Sequence, residues 1–231
     1  MRAFAIEISN NPTSVNGVKE LIASNKRVGN EFDIERFVAT TPENTDTQGF
    51  MDSKGIRWNW PLSGHFHDFH TGFKKHAYQA KHPSKVIACF ISHYRLWEAC
   101  VLMDENILVL EHDAYFLQKL DKELYDFPFV ISINNPLGCT RKSRQYDEAL
   151  KCRKEAYGLV PYVDADLTIP QGLPGNSAYV MTPRSASELI QLVRMYGAWP
   201  NDAIMCRQLL PCYASKIYYT HVQGLRSTTT C

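Results

Sequence analysis

Apolar residues along this chain recur at two spacings, and the switches between them lay out alternating strands and helices. Residues 2–8 read as a strand that stops at the turn cluster Ser9-Asn10-Asn11-Pro12. Val15, Val18, Leu21 and Ile22 then fall at helical spacing within 15–24, and 32–39 read as a second strand. The opening is therefore β-α-β, the start of an α/β sheet. Periodicity is lost over 41–80, which reads as a long irregular segment rich in Thr, Asn, Gly, Trp and His. It returns over 84–103, where Val86, Phe90, His93, Trp97 and Val101 mark one face of a long helix. After the turn Asp104-Glu105-Asn106, the run Ile107-Leu108-Val109-Leu110 predicts a strand buried on both faces. Further strands are expected at 129–133 and 177–181. Thr182-Pro183 supplies a cap and a first-turn proline for a helix reaching 195. A short helix over 202–210 and a last strand over 216–222 complete the pattern.

No linker interrupts this order, so residues 1–231 are read as one α/β domain, long enough to bury a core. The formal net charge of +1 removes any global argument for a polyanionic partner and leaves only local patches. The N-terminal strand, interrupted by Glu7, does not read as a signal peptide, and the longest apolar runs are too short to span a bilayer. Seven scattered cysteines without a C-x-x-C pair predict reduced thiols in a cytoplasmic protein, with no spacing for a zinc site built on them.

The buried strand ends in Glu111-His112-Asp113, three ionisable groups at the sheet edge where open α/β folds bind ligands. By the two-residue period of a strand, Glu111 and Asp113 leave on one side, placed to share a divalent cation that bridges the phosphates of a nucleotide. The alternative is a solvated turn in which Asp113 caps a following helix.

Two blocks add to this. Ala88-Cys89-Phe90-Ile91-Ser92-His93-Tyr94-Arg95-Leu96-Trp97, followed by the strand ending Glu111-His112-Asp113-Ala114, resembles glycosyltransferase family 25. That family comprises lipopolysaccharide-type galactosyltransferases and their collagen-modifying relatives; its pattern is roughly G-C-x-x-S-H-x-x-x-W, then a strand ending E-D-D-A. Gly175-Asn176-Ser177-Ala178-Tyr179-Val180-Met181 is similar to its G-x-x-A-Y segment, Trp199-Pro200-Asn201-Asp202 to its P-V-D, and Gln223 with Ser227-Thr228 to its closing Q…S-T. The resemblance implies the GT-A nucleotide-diphospho-sugar transferase fold, a mixed central sheet flanked by helices. It also implies inverting transfer from a uridine-diphosphate (UDP) sugar with manganese, or magnesium in its place. His112 stands where the family has an acid, and Ala88 where it has a glycine.

On that footing Asp113 is expected to hold the metal, with Glu111 beside it on metal or ribose and His221 completing the shell. Asp202 is expected to be the general base that takes the acceptor proton, or else a helix cap. Asn10, Asn11, Ser92, His93 and Asn176 are assigned to the nucleotide-sugar; for His93, on the apolar helix face, a buried structural role leads. Arg141, Lys142 and Arg144 open a basic segment, and Lys74, Lys75, His76, Lys81, His82 and Lys85 form another. Both are either solvated faces or the reader of an anionic acceptor: a glycolipid or oligosaccharide such as lipopolysaccharide core, or hydroxylated bases in nucleic acid. Two other classes stay open. A degenerate domain would bind nucleotide or glycan without turnover. A zinc hydrolase would use His65, His67 and His70, although Asp68 lies one place too early for the metallo-β-lactamase pattern.

Overall fold

The computed structural model describes residues 1–139 and 141–225, so Ser227 and Thr228 lie outside the described residues. In chain order the elements are β1 (Arg2–Glu7), α1 (Pro12–Arg27), β2 (Ile34–Val38), α2 (Thr47–Ser53), β3 (His65–Asp68), β4 (Phe73–His76), α3 (Pro83–Met103), β5 (Ile107–Glu111) and β6 (Ala114–Phe116). They continue with β7 (Val130–Ser132), α4 (Ser143–Lys151), β8 (Tyr157–Leu159), β9 (Ala178–Met181), α5 (Pro183–Tyr196), α6 (Asn201–Ile204), β10 (Cys212–Ser215) and β11 (Thr220–Val222).

Seven strands form one mixed sheet in the order β2-β1-β5-β9-β7-β10-β8. β2, β1 and β5 run parallel, whereas β9 is antiparallel to both β5 and β7. The two-residue period sorts the side chains onto two faces. Phe4, Ile6, Ile107, Val109, Tyr179 and Met181 join the larger core with Phe90, Tyr94 and Trp97 of α3 and Leu189 of α5. Ala3, Ala5, Leu108, Leu110, Ala178 and Val180 join a second core with Val18 and Leu21 of α1. Helices thus cover both faces, which is why the run Ile107–Leu110 is apolar without alternation. The expected mixed sheet flanked by helices is what the structure shows.

By length and composition alone α3 is long and apolar enough to cross a membrane, a test that a buried core helix also passes. Here it is the central core helix, packed on α5. Its end is set by Asp104 in the left-handed region (φ 52°), whose N–H returns to the Cys100 carbonyl.

Four expectations need correction. Residues 41–80 contain α2 and the hairpin β3–β4, and the basic segment contains α4. The hairpin shows no alternating burial along β3, and is anchored instead by Lys75, as described below. α4 buries Tyr146, Asp147 and Leu150 on one stripe of an otherwise charged helix. The expected helix over 202–210 stops at Ile204, because Leu173 N–H bonds to the Met205 carbonyl and Gly172 bridges Cys206. A Cβ at Gly172 would stand 1.8 Å from the Asp202 carbonyl oxygen, so only glycine permits this approach. The last strand, expected over 216–222, is only Thr220–Val222 (β11), and β10 at Cys212–Ser215 lies just before the expected range.

Candidate active site

β1 and β5 end at one edge of the sheet, and β9, running the other way, begins there. Three loops therefore converge: 8–11, 112–113 and 172–177. Beside them a cavity of about 360 Å³ is lined by Asn10, Asn11, Thr40, Thr41, Glu43, Lys85, Cys89, Ser92, His93, Glu111 and His112, among others. Asn10, Asn11, Ser92, His93 and Glu111 are thus brought together in one wall system.

Their side chains differ in what they have left to offer. Asn11 caps α1, its Oδ1 accepting from Ser14 N–H at 3.1 Å. The Ser92 hydroxyl is committed twice: it donates to the Ala88 carbonyl (3.0 Å) and accepts from Thr40 N–H (2.9 Å). Ser92 therefore fixes the cavity wall and has no hydroxyl proton left to donate to a ligand. Asn10, by contrast, is exposed at the end of the loop.

Glu111 follows Val109 on the same face of β5, so its carboxylate meets α3. His93 is fully buried there, its Nε2 3.3 Å from Glu111 Oε1. Its Nδ1 shares a hydrogen bond of 2.8 Å with Tyr179 Oη, which also accepts from Trp97 Nε1 at 3.1 Å. The signature helix and the Ala178-Tyr179 strand are linked through this chain.

Asp113 does not follow Glu111 by strand alternation. β5 ends at Glu111, residues 112–113 turn, and β6 begins at Ala114, so no helix follows for Asp113 to cap. The turn is pinned from the other side by Gln223, whose N–H donates to the Asp113 carbonyl (2.7 Å) and whose Nε2 donates to Gly17 and Ala114 carbonyls (2.9 Å each). Asp113 Oδ1 is buried without a hydrogen-bond partner, as are both side-chain polar atoms of Asn176 next to Ser177. Burial first, then the nearby Glu111 charge, pushes the Asp113 carboxyl up to about 7. Burial lowers the pKa of His112, so this replacement for an acid adds no fixed cation.

His221 lies on β11, half-buried, with its ring edge-on to Tyr115 at 5.1 Å. Among the described residues it does not join Glu111 and Asp113 in a group of three close ligand atoms; the one such group is Cys89, His93 and Glu111. Asp202 is not the cap of its short helix; Pro200 stands there without a side-chain bond. The Asp202 carboxylate instead accepts from Tyr78 Oη at 2.7 Å, and burial raises its pKa, with Glu111 adding in the same direction. Tyr78 and Lys85 are functional candidates that sequence reading passed over singly, one inside the irregular segment and the other inside a charge run.

Of the basic residues, Lys75 is a correction: it is fully buried, bonded to Asp68 (2.6 Å) and the Asn59 carbonyl (2.9 Å), and lies 3.8 Å over the Trp199 ring. Lys74 pairs with Asp166. Arg141 and Lys142 share Asp164 at 3.2 and 3.4 Å, while Arg144 is exposed on α4. His65, His67 and His70 are exposed and turn to separate rings, His76, Phe69 and Tyr196. Among the described residues they join no close group of metal-ligating atoms.

A search of curated proteins returns no match. Among solved structures, an active-site mutant of LgtC aligns at 9% identity and TM-score 0.48, covering 98% of this chain and 88% of that one. The galactosyltransferase LgtC in complex with donor and acceptor sugar analogues aligns at 12% and 0.40, covering 88% and 69%. Mouse xyloside xylosyltransferase 1 in its apo form aligns at 11% and 0.42, covering 89% and 80%. The family model described as glycosyltransferase family 25 (LPS biosynthesis protein) matches residues 19–205. That span takes in α3, the strand ending in Glu111, the Asn176 loop and Asp202, and the chain belongs to glycosyltransferase family 25.

Proposed function

We propose that this glycosyltransferase moves a sugar from a UDP-sugar to an acceptor hydroxyl with inversion, assisted by manganese or magnesium. The observation that carries the reading is the set of unpaired buried atoms in the loops at this edge of the sheet, Asp113 Oδ1 and both polar atoms of Asn176. Left empty, they cost the free energy of unmade hydrogen bonds; a ligand with oxygen atoms and a cation would satisfy them. The donor set fits the ion: Asp113 and Glu111 offer hard oxygens, and their mutual repulsion is what a divalent cation relieves. When bound, the ion neutralises the diphosphate leaving group.

The cavity between Asn10, Thr40 and Ser92 takes the nucleoside, with Lys85 as the cation on its wall. Asn176 then hydrogen-bonds the sugar. Asp202, aimed by Tyr78 and made more basic by burial, accepts the proton of the attacking hydroxyl. Arg141 and Lys142 supply two cations against the one carboxylate of Asp164, and Arg144 adds a third, which favours an anionic acceptor such as a phosphorylated oligosaccharide.

Calorimetric titration of UDP with and without manganese tests the donor site. Affinity should depend on the ion, and Asp113→Ala should abolish that dependence. Equal affinity in both conditions defeats the metal role, and donor binding without any transfer identifies a binding-only domain. Phosphorylated oligosaccharide and duplex DNA with hydroxymethylated bases, offered in parallel, decide the acceptor class.

A further inference from the structure

Cys89 and His93 lie four residues apart on α3, so they share the helix face that looks at the end of β5. With Glu111 they bring three ligand atoms within 4.8 Å of one another. His93 is held on one side and open on the other. Its Nδ1 is engaged by Tyr179 Oη at 2.8 Å, while its fully buried Nε2 makes no hydrogen bond, although Glu111 Oε1 is only 3.3 Å away. Two ligands bound at about 2.0–2.1 Å to one tetrahedral ion sit roughly 3.3 Å apart, each pointing at the ion and not at the other. When Nδ1–H donates to Tyr179, the Nε2 lone pair faces Glu111, as a metal-binding imidazole requires. The Cys89 thiol donates to Asn201 Oδ1 at 3.7 Å from the same helix face.

Thiolate, imidazole and a single carboxylate suit zinc and leave its fourth position to the cavity, whereas the Asp113–Glu111 pair offers hard oxygens alone. We propose that Cys89, His93 and Glu111 form a zinc site in the cavity wall, and that zinc bound there inhibits by withholding Glu111 from the donor. The second half rests on the donor reading given above; the first does not.

The test uses the full chain without nucleotide. Cobalt(II), as a coloured stand-in for zinc, should bind one per chain with a thiolate-to-metal band in the near ultraviolet. Cys89→Ser should remove the band and weaken zinc, measured by chelator competition, about tenfold or more. Glu111→Gln should weaken zinc yet keep the band, and Cys152→Ser, at an exposed thiol, should change neither. Saturating zinc should then lower UDP affinity in the wild-type chain and not in Cys89→Ser. Absence of one-to-one binding, or a band and affinity untouched by Cys89→Ser, overturns the site. Zinc binding that leaves UDP affinity intact overturns the inhibition. Because the metal titrations contain no nucleotide, their failure leaves the donor reading standing, and the converse also holds.

Discussion

Two regions of the molecule bury charge, and they treat it in opposite ways. In the hairpin, Lys75 is completely buried, yet Asp68, the Asn59 carbonyl and the Trp199 ring surround its ammonium. Asp68 in turn accepts from Asn59 Nδ2 and His70 N–H, and stays below the ordinary carboxylate range although burial opposes this. At the sheet edge, Asp113 and Asn176 are half-buried, yet Asp113 Oδ1 and both Asn176 polar atoms are buried and unpaired, and Asp113 titrates upward. The other unpaired buried side-chain atoms among the described residues, apart from His93 Nε2, are three indole nitrogens and the Tyr94 hydroxyl, all neutral donors. A saturated charge is scaffold; an unsaturated carboxylate and amide beside a cavity are held ready for something else. Burial alone would not have separated the two.

The widest break between them is expected at Asp202. Asp202→Asn should reduce transfer about 10²–10⁴-fold while the melting temperature barely moves. In the wild type, the acid limb of the kcat profile should lie above the ordinary aspartate range, since burial raises this carboxyl. Near-native turnover in Asp202→Asn would place the residue with the scaffold.

On the hairpin the loss should fall on stability instead. Lys75→Met leaves the buried Asp68 without its cation, and should cost about 3–5 kcal/mol in urea unfolding, whereas Lys75→Met with Asp68→Leu should cost much less. Equal losses from the single and double variants would contradict a saturated pair.

The smallest effect has the opposite sign. Below the ordinary aspartate pKa, Asp113 is protonated whether the chain is folded or not. As pH rises toward about 7, only the unfolded chain releases the proton, so this group makes stability fall across that window and the loss persists above it. Asp113→Asn should flatten that slope and raise stability at pH 8 by about 1 kcal/mol in the metal-free protein, as substitutions at strained sites do. Thermal unfolding across pH 4 to 8 reads it; parallel slopes in wild type and variant would show that Asp113 ionises normally.

What the sequence disclosed follows the same division. β5 was legible because burial on both faces is written in four consecutive residues, and α5 because Thr182-Pro183 states its start locally. The hairpin and α4 were missed because what secures them is distant: Lys75 on Trp199, and Asp147 accepting from Tyr218 Oη 71 residues away. Of the site, Glu111 and Asp113 could be read at a strand end, but not the turn that divides them. The partnership of Asp202 with Tyr78 spans 124 positions and leaves no local signal. The pairing of Cys89 with His93 was not read, since the cysteines alone offer no metal spacing and only the fold supplies the third ligand.

The antiparallel strand β9 also fixes the order in which these parts come into being. Every described residue lining the cavity lies before position 113, so the elements that carry that wall, β1, β2, α3 and β5, come early in the chain. β7 cannot close the sheet against β5, because β9 occupies the place between them. The edge of β5 therefore stays open while about 65 further residues are made, roughly 3–13 s at 5–20 residues per second. An unpaired apolar edge exposed for seconds is a target for chaperones and for wrong pairing. The residues that line the cavity are therefore all synthesised before Asn176 and Asp202, which belong to the later part of the site.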